Sequence, residues 1–316
     1  MLADIISREK GKPRRRRPGK ILFPVTSITG EAASRCMSHW PLILAWLLVA
    51  LGAPSLAEPA TNRALPGAPA LQPTRSFKPP PKINYREPAR EYAERRQGGW
   101  NFFLERELAE RQPEQADRVV KRLEAKLSDV LRLLPEHTHD RLRRLSFFVM
   151  AGSNAAAGGR DSGLEFFRRT DPDFHPRLDP RWRGAVVIYS AKNYLWQNDY
   201  WSVQLLVHEL SHAWHLEQWP EKQPDILNAW REAVEARLYH GVKDLNGTIL
   251  EKAYAAHNQL EYFAELSCAY FWKNEYEPFD REGLRRRDPG GLAMIEKMWG
   301  IHAPPPPASP RAGKVE

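Results

Sequence analysis

The stretch from Asp199 to Trp219 reads DYWSVQLLVHELSHAWHLEQW, and its spacing decides how the rest of the chain is read. Apolar residues recur at Val203, Val207, Leu210 and Trp214, steps of four, three and four that describe one buried face of an α-helix, with Asp199 as the expected N-cap. On a neighbouring face His208 and His212 lie one turn apart. Side chains at i and i+4 project side by side from a helix, so two imidazole nitrogens can meet one metal ion. Glu209, rotated by about 100° from His208, stands beside such an ion rather than on it. From there a carboxylate can take a proton from the attacking water, which is why the His-Glu-x-x-His spacing recurs in zinc hydrolases. The plainer reading is an amphipathic helix that happens to carry histidines. The apolar back face argues against it, because a chance match falls more often in a loop or a fully polar segment. His215 lies on the same side, at i+7 from His208. It is expected to be a pocket residue and not a ligand, since the longer zincin spacing needs Gly at position 215 and His at position 218, which is Gln218.

A catalytic zinc takes three protein ligands and a water, so a third ligand must come from elsewhere. Residues 248–271, TILEKAYAAHNQLEYFAELSCAYF, offer Glu261 and Glu265, one turn apart on a predicted helix whose apolar face is Phe263, Leu266 and Tyr270. Glutamates at i and i+4 repel on an ordinary surface helix, and a nearby dication relieves that strain. Asn258-x-x-Glu261 is also an acceptable capping box, in which Glu261 would serve only the helix N-terminus. Tyr254 reads equally well as a core phenol or as a site residue.

Taken together, HELSHAWH (208–215) and a tyrosine, Tyr254, seven residues before the run Glu261-Tyr-Phe-Ala-Glu265 resemble the gluzincin metallopeptidases of the anthrax lethal factor catalytic-domain type, which include the Pro-Pro endopeptidases. The resemblance is close over about 60 residues. It implies that His208, His212 and Glu261 bind Zn²⁺, that Glu209 is the general base and that Tyr254 stabilises the oxyanion. Glu265 would then orient a histidine ligand. Tyr262 stands where the family often has Phe, and the later stretch NEYEPFDREGLRRRDPGG has no counterpart in it.

The chain has 316 residues and a formal charge of +8, which the N-terminus distorts. Residues 1–36 hold nine Lys/Arg against three acids, leaving 38 basic and 36 acidic residues elsewhere, a net of +2. A basic run set apart from any folded element gives poor support for a nucleic-acid partner. Pro41 to Gly52, PLILAWLLVALG, is too short to span a bilayer but suits the apolar core of a secretory signal. Ser55 and Ala57 fit cleavage after Ala57. Residues 1–57 are therefore expected to be an N-terminal extension plus signal peptide, with Met37 as the true start. Residues 58–84 are Pro- and Ala-rich and read as a disordered linker, as does the tail 302–316. The folded unit is expected at 85–301. Once the signal is removed only Cys268 remains, so no intramolecular disulfide is possible, and its apolar setting makes it a small buried side chain.

Within that unit, Pro88 to Gln112 look helical and charged, broken at Gly98-Gly99. Pro113 opens a stronger helix with Val119, Val120, Leu123, Leu127, Val130, Leu131 and Leu134 on one stripe. LSFFVMA (145–151) and GAVVIYS (184–190) read as strands separated by a long loop, with the second strand as the free edge that pairs with an extended peptide. Asp225 is expected to cap a helix closed by Gly241, and Asn246-Gly247 to form a turn.

The expected protein is α+β, a mostly helical zincin-like domain with a small β-sheet beside the active-site helix. It would be a secreted or periplasmic zinc endopeptidase acting on a peptide or protein substrate, monomeric, with no stable membrane span after signal cleavage. The rival readings are a non-catalytic zinc-binding cell-surface or interaction protein, whose structural zinc is closed by four protein ligands, and a zinc amidase acting on a wall component. N-terminal sequencing of the exported product should begin at Glu58; a product that retains Leu42–Leu51 contradicts the signal.

Overall fold

The computed structural model describes residues 81–301, so the expected signal, nearly all of the expected linker and the tail lie outside the described residues. The described part is mixed α+β. Its elements in chain order begin with β1 (Tyr92–Gln97), β2 (Trp100–Glu105), α1 (Arg106–Arg111), α2 (Pro113–Leu133) and α3 (His139–Leu142). Next come β3 (Ser146–Val149), β4 (Leu164–Phe167), β5 (Ala185–Ile188), α4 (Ala191–Trp196) and α5 (Asp199–Leu216). The chain continues with α6 (Pro224–Glu235), β6 (His240–Lys243), β7 (Ile249–Lys252), α7 (Gln259–Phe271), α8 (Arg281–Arg287) and α9 (Pro289–Met298).

Five strands form one sheet in the order β1-β2-β3-β5-β4, with β2, β3 and β5 parallel and the two outer strands antiparallel to their neighbours. Alternate residues of β3 and β5 divide between two cores: Phe147, Val149, Val186 and Ile188 face the helices, while Phe148, Val187 and Tyr189 pack with Tyr85 and Trp182 on the other face. Both faces are thus buried, which suits the continuous apolar runs of these strands.

Three expectations change here. Pro88 to Gln112 is a hairpin followed by a short helix. Gly98 (φ +59°) and Gly99 (φ +80°) form the two-residue turn, a conformation that favours glycine, and join Gln97 to Trp100. Trp100, Phe102 and Leu104 then point inward at every second residue, the period of a strand. The segment 152–184 contains a strand, β4, and β5 lies between β3 and β4, so it is an internal strand and cannot be the peptide-pairing edge. The free edge on that side is β4. Finally, the helix expected to run from Asp225 to Gly241 is α6, capped by the Gln223 side chain and ending at Glu235, because the chain turns at Arg237 (φ +54°) and enters β6. Asn246-Gly247 lies in the β6–β7 turn, and Pro113 does open α2.

Two devices hold the site's supports in place. The Trp299 ring stacks on Trp214 of α5 (5.4 Å, 9°) and on Phe263 of α7 (6.0 Å, 13°), and its indole nitrogen donates to Ser267 Oγ at 2.9 Å. Arg90 is buried in an ion pair with Glu105 and donates to the carbonyls of Ala157 and Gly158, while Glu105 Oε2 accepts from the Ala151 amide at 2.8 Å. This pair pins the loop that leads into β4. Glu105→Ala strands a buried guanidinium and an amide, and should lower the stability of the fold by about 3–5 kcal/mol in denaturant unfolding. Replacing Arg90 and Glu105 together with apolar side chains of similar size should recover much of that loss.

Candidate metal centre

Helix α5 starts one residue earlier than expected in its cap: Asn198 accepts from the Trp201 amide at 3.0 Å, and Asp199 is the first helical residue, paired with Arg122 and Lys126. The helix is enclosed by the sheet on one side and α7 on another, so Val203, Leu206, Val207, Leu210, Ala213 and Trp214 are all buried. Helix α7 is capped by Asn258, whose side chain accepts from the amides of Leu260 (2.9 Å) and Glu261 (3.0 Å). The Glu261 carboxylate reaches across to α5 instead of completing a capping box.

The three candidate ligands meet. His208 Nε2 lies 3.1 Å from Glu261 Oε2 and 3.1 Å from His212 Nε2, and His212 Nε2 lies 3.3 Å from Glu261 Oε2. The side chains are 11–13 % exposed, so solvent reaches the cluster. A triangle of two imidazole nitrogens and a carboxylate oxygen makes a poor hydrogen-bond network, since three lone-pair atoms converge on one point. It can hold a metal ion.

The surroundings prepare these atoms for that role. Glu265 Oε1 sits 2.9 Å from His208 Nδ1, so this nitrogen donates and Nε2 turns its lone pair toward the cluster. Burial opposes protonation of His208, but its bonds to Cys268, Glu261 and Glu265 outweigh it and raise the group well above the usual imidazole range. Burial likewise pushes Glu261 up, and the facing His212 and His208 overcome it and hold the carboxyl well below its ordinary value. Without a cation the cluster therefore keeps a proton among its members, and a metal must displace it. Burial pushes the Cys268 thiol up to about 12, and its Sγ lies 3.6 Å from the Gln204 carbonyl oxygen.

Glu209 stands beside the triangle, buried, with Oε2 accepting from the Phe166 amide of β4 at 2.7 Å. Burial raises its affinity for a proton more than the neighbouring histidines lower it. The Tyr254 ring lies near-parallel to that of His208 (6.1 Å, 25°), with His257 edge-on behind it (5.2 Å). Burial raises its phenol well above the ordinary tyrosine value.

His215 departs from expectation. It is fully buried, with Nε2 donating to the Pro220 carbonyl (3.2 Å) and its ring edge on Phe263, so it packs in the core and lines no open pocket. Four contributors were not visible in the sequence: the Phe166 amide, Cys268, Glu275 and Tyr276. The last two come from an irregular segment after α7, where no periodicity marks them. No family model matches the chain, and neither a curated protein nor a solved structure matches it.

Burial holds His215 down to about 4, against an ordinary value of 6.5. The fold favours the neutral ring, so this contribution is complete above about pH 6.5 and is lost as pH falls toward 4, with a total of about 3 kcal/mol. Unfolding free energy measured across pH 4–7 should fall by this amount on acidification, and His215→Asn should flatten that part of the curve.

Proposed function

We propose that the chain is an exported, zinc-dependent endopeptidase of the gluzincin kind. The observation that carries this reading is the meeting of His208, His212 and Glu261 in a triangle with sides of 3.1, 3.1 and 3.3 Å. Ligands placed about 2.0–2.1 Å from zinc at tetrahedral angles stand about 3.3–3.4 Å apart, so the spacing suits that ion with little rearrangement. Among the described residues the cluster offers three candidate protein ligands, which supports a catalytic over a closed structural site.

Zinc bound here would polarise the scissile carbonyl and make water acidic enough to attack near neutral pH. Glu209 would take a proton from the attacking water and pass it to the leaving amine. Its raised proton affinity suits a group that must both accept and release, and the Phe166 amide keeps the carboxylate aimed. Tyr254 remains a neutral phenol at working pH and can donate to the oxyanion as charge develops. Glu265 keeps His208 in the ligating tautomer. Strand β4, which touches the site through Phe166, is the edge along which an extended peptide can pair.

The test uses the chain from residue 58, a peptide library and a chelator control. Cleavage should disappear with chelator and return with zinc. Glu209→Gln should keep its zinc and lose about 10²–10⁴-fold in rate, because it removes the base and spares the ligands. Glu261→Ala should lose zinc at chelator concentrations that the parent survives. Loss of zinc from Glu209→Gln, or full activity in it, contradicts the assignment.

A further inference from the structure

Glu265 orients His208, and the group that orients Glu265 lies outside both helices of the motif. Tyr276 is 1 % exposed, in the segment after α7. Its backbone bridges Asp244, while the Leu245 amide donates to the Glu275 carbonyl and the Glu277 amide to the Lys243 carbonyl, each at 2.9 Å. The phenol is therefore held in a fixed place. Its oxygen accepts a hydrogen bond from the Ala255 amide at 2.9 Å. A hydroxyl that has accepted still has its proton to give, and the acceptor it faces is the Glu265 carboxylate. That carboxylate spends Oε1 on His208 and has Oε2 buried with no hydrogen-bond partner, an open acceptor for the phenol's proton.

Ala255 follows Tyr254 in the same 3₁₀ turn, residues Tyr254–Ala256. One phenol thus holds the turn that carries the candidate oxyanion donor and faces the acid behind a candidate ligand. We propose that Tyr276 is a positioning residue that fixes Glu265 against His208 and, through the Ala255 amide, sets the placement of Tyr254. The neighbouring acid shows why a neutral donor is needed here: burial and the Glu265 charge push Glu275 up to about 8. A second carboxylate is poorly tolerated beside Glu265, whereas a phenol can satisfy it without adding charge. A purely packing role would be filled equally well by Phe, because a buried hydroxyl is costly unless it is bonded.

The inference rests on the cluster being a zinc centre, and the experiment separates the two. Zinc dissociation constants are measured by chelator competition on the chain from residue 58, with thermal midpoints of the zinc-free protein alongside. Tyr276→Phe should weaken zinc binding about tenfold, the usual scale for an outer group that orients a ligand. It should also lower kcat more than it raises KM. Tyr92→Phe serves as the control, since it removes a half-buried phenol's bonds to Asp179 and Trp182 on the far face of the sheet. It should shift the thermal midpoint and leave zinc affinity unchanged. In Tyr276→Phe/Glu265→Gln the loss of affinity should match that of Glu265→Gln alone, because both changes break one chain of bonds. Unchanged zinc affinity in Tyr276→Phe, or losses that multiply in the double variant, overturns the inference and leaves the zinc site standing. A parent chain that binds no zinc overturns both.

Discussion

The contact between α5 and α7 is the constraint on which everything else depends. Gln204, His208 and His212 on one helix meet Cys268, Glu265 and Glu261 on the other, rung by rung. Two carboxylates and two imidazoles are thereby drawn largely out of water at the edge of a protein core. Such a group is strongly unfavourable unless its charges neutralise one another or share a cation. The apolar residues around it are what compel the approach. Trp299 stacks on Trp214 and Phe263 at once and sets how far apart the two helices can lie.

The sheet contributes a single polar contact to this arrangement, and it is well placed. Phe166 of β4 gives its amide to Glu209 from the strand's open edge, on the side away from β5. The position of β4 depends in turn on the loop before it, held by the carbonyls that Arg90 binds and the amide that Glu105 receives. A buried ion pair remote from the histidines therefore governs the aim of the residue read as the base.

The parts legible in the sequence were those with a strong period or a fixed chemical spacing. The stripe on α2, the runs that became β3 and β5, and the four-residue steps that bring His208, His212, Glu261 and Glu265 to two facing surfaces are of this kind. Local competition hid the rest. Asn198 and Asp199 are both good caps, and Asp199 is instead engaged by Arg122 and Lys126. The charged residues of β1 suggested a solvated helix, although the two glycines after it signalled a tight hairpin. LEFF is too short, and too closely set among Gly and charged residues, to declare itself as β4. His215 shares the motif's face on a helical wheel, but the chain folds Pro220 back onto it. Tyr276 meets the Ala255 amide by a tertiary path that no local pattern encodes.

The place of Trp299 in the chain has a consequence for the order of assembly. The ring that spaces the two motif helices belongs to the third residue from the end of the described fold. During synthesis, His208 and Glu261 emerge with their wedge still missing. The packing that sets their separation is complete only when nearly the whole folded unit has left the ribosome, so a growing chain carries the motif well before it carries the finished cleft.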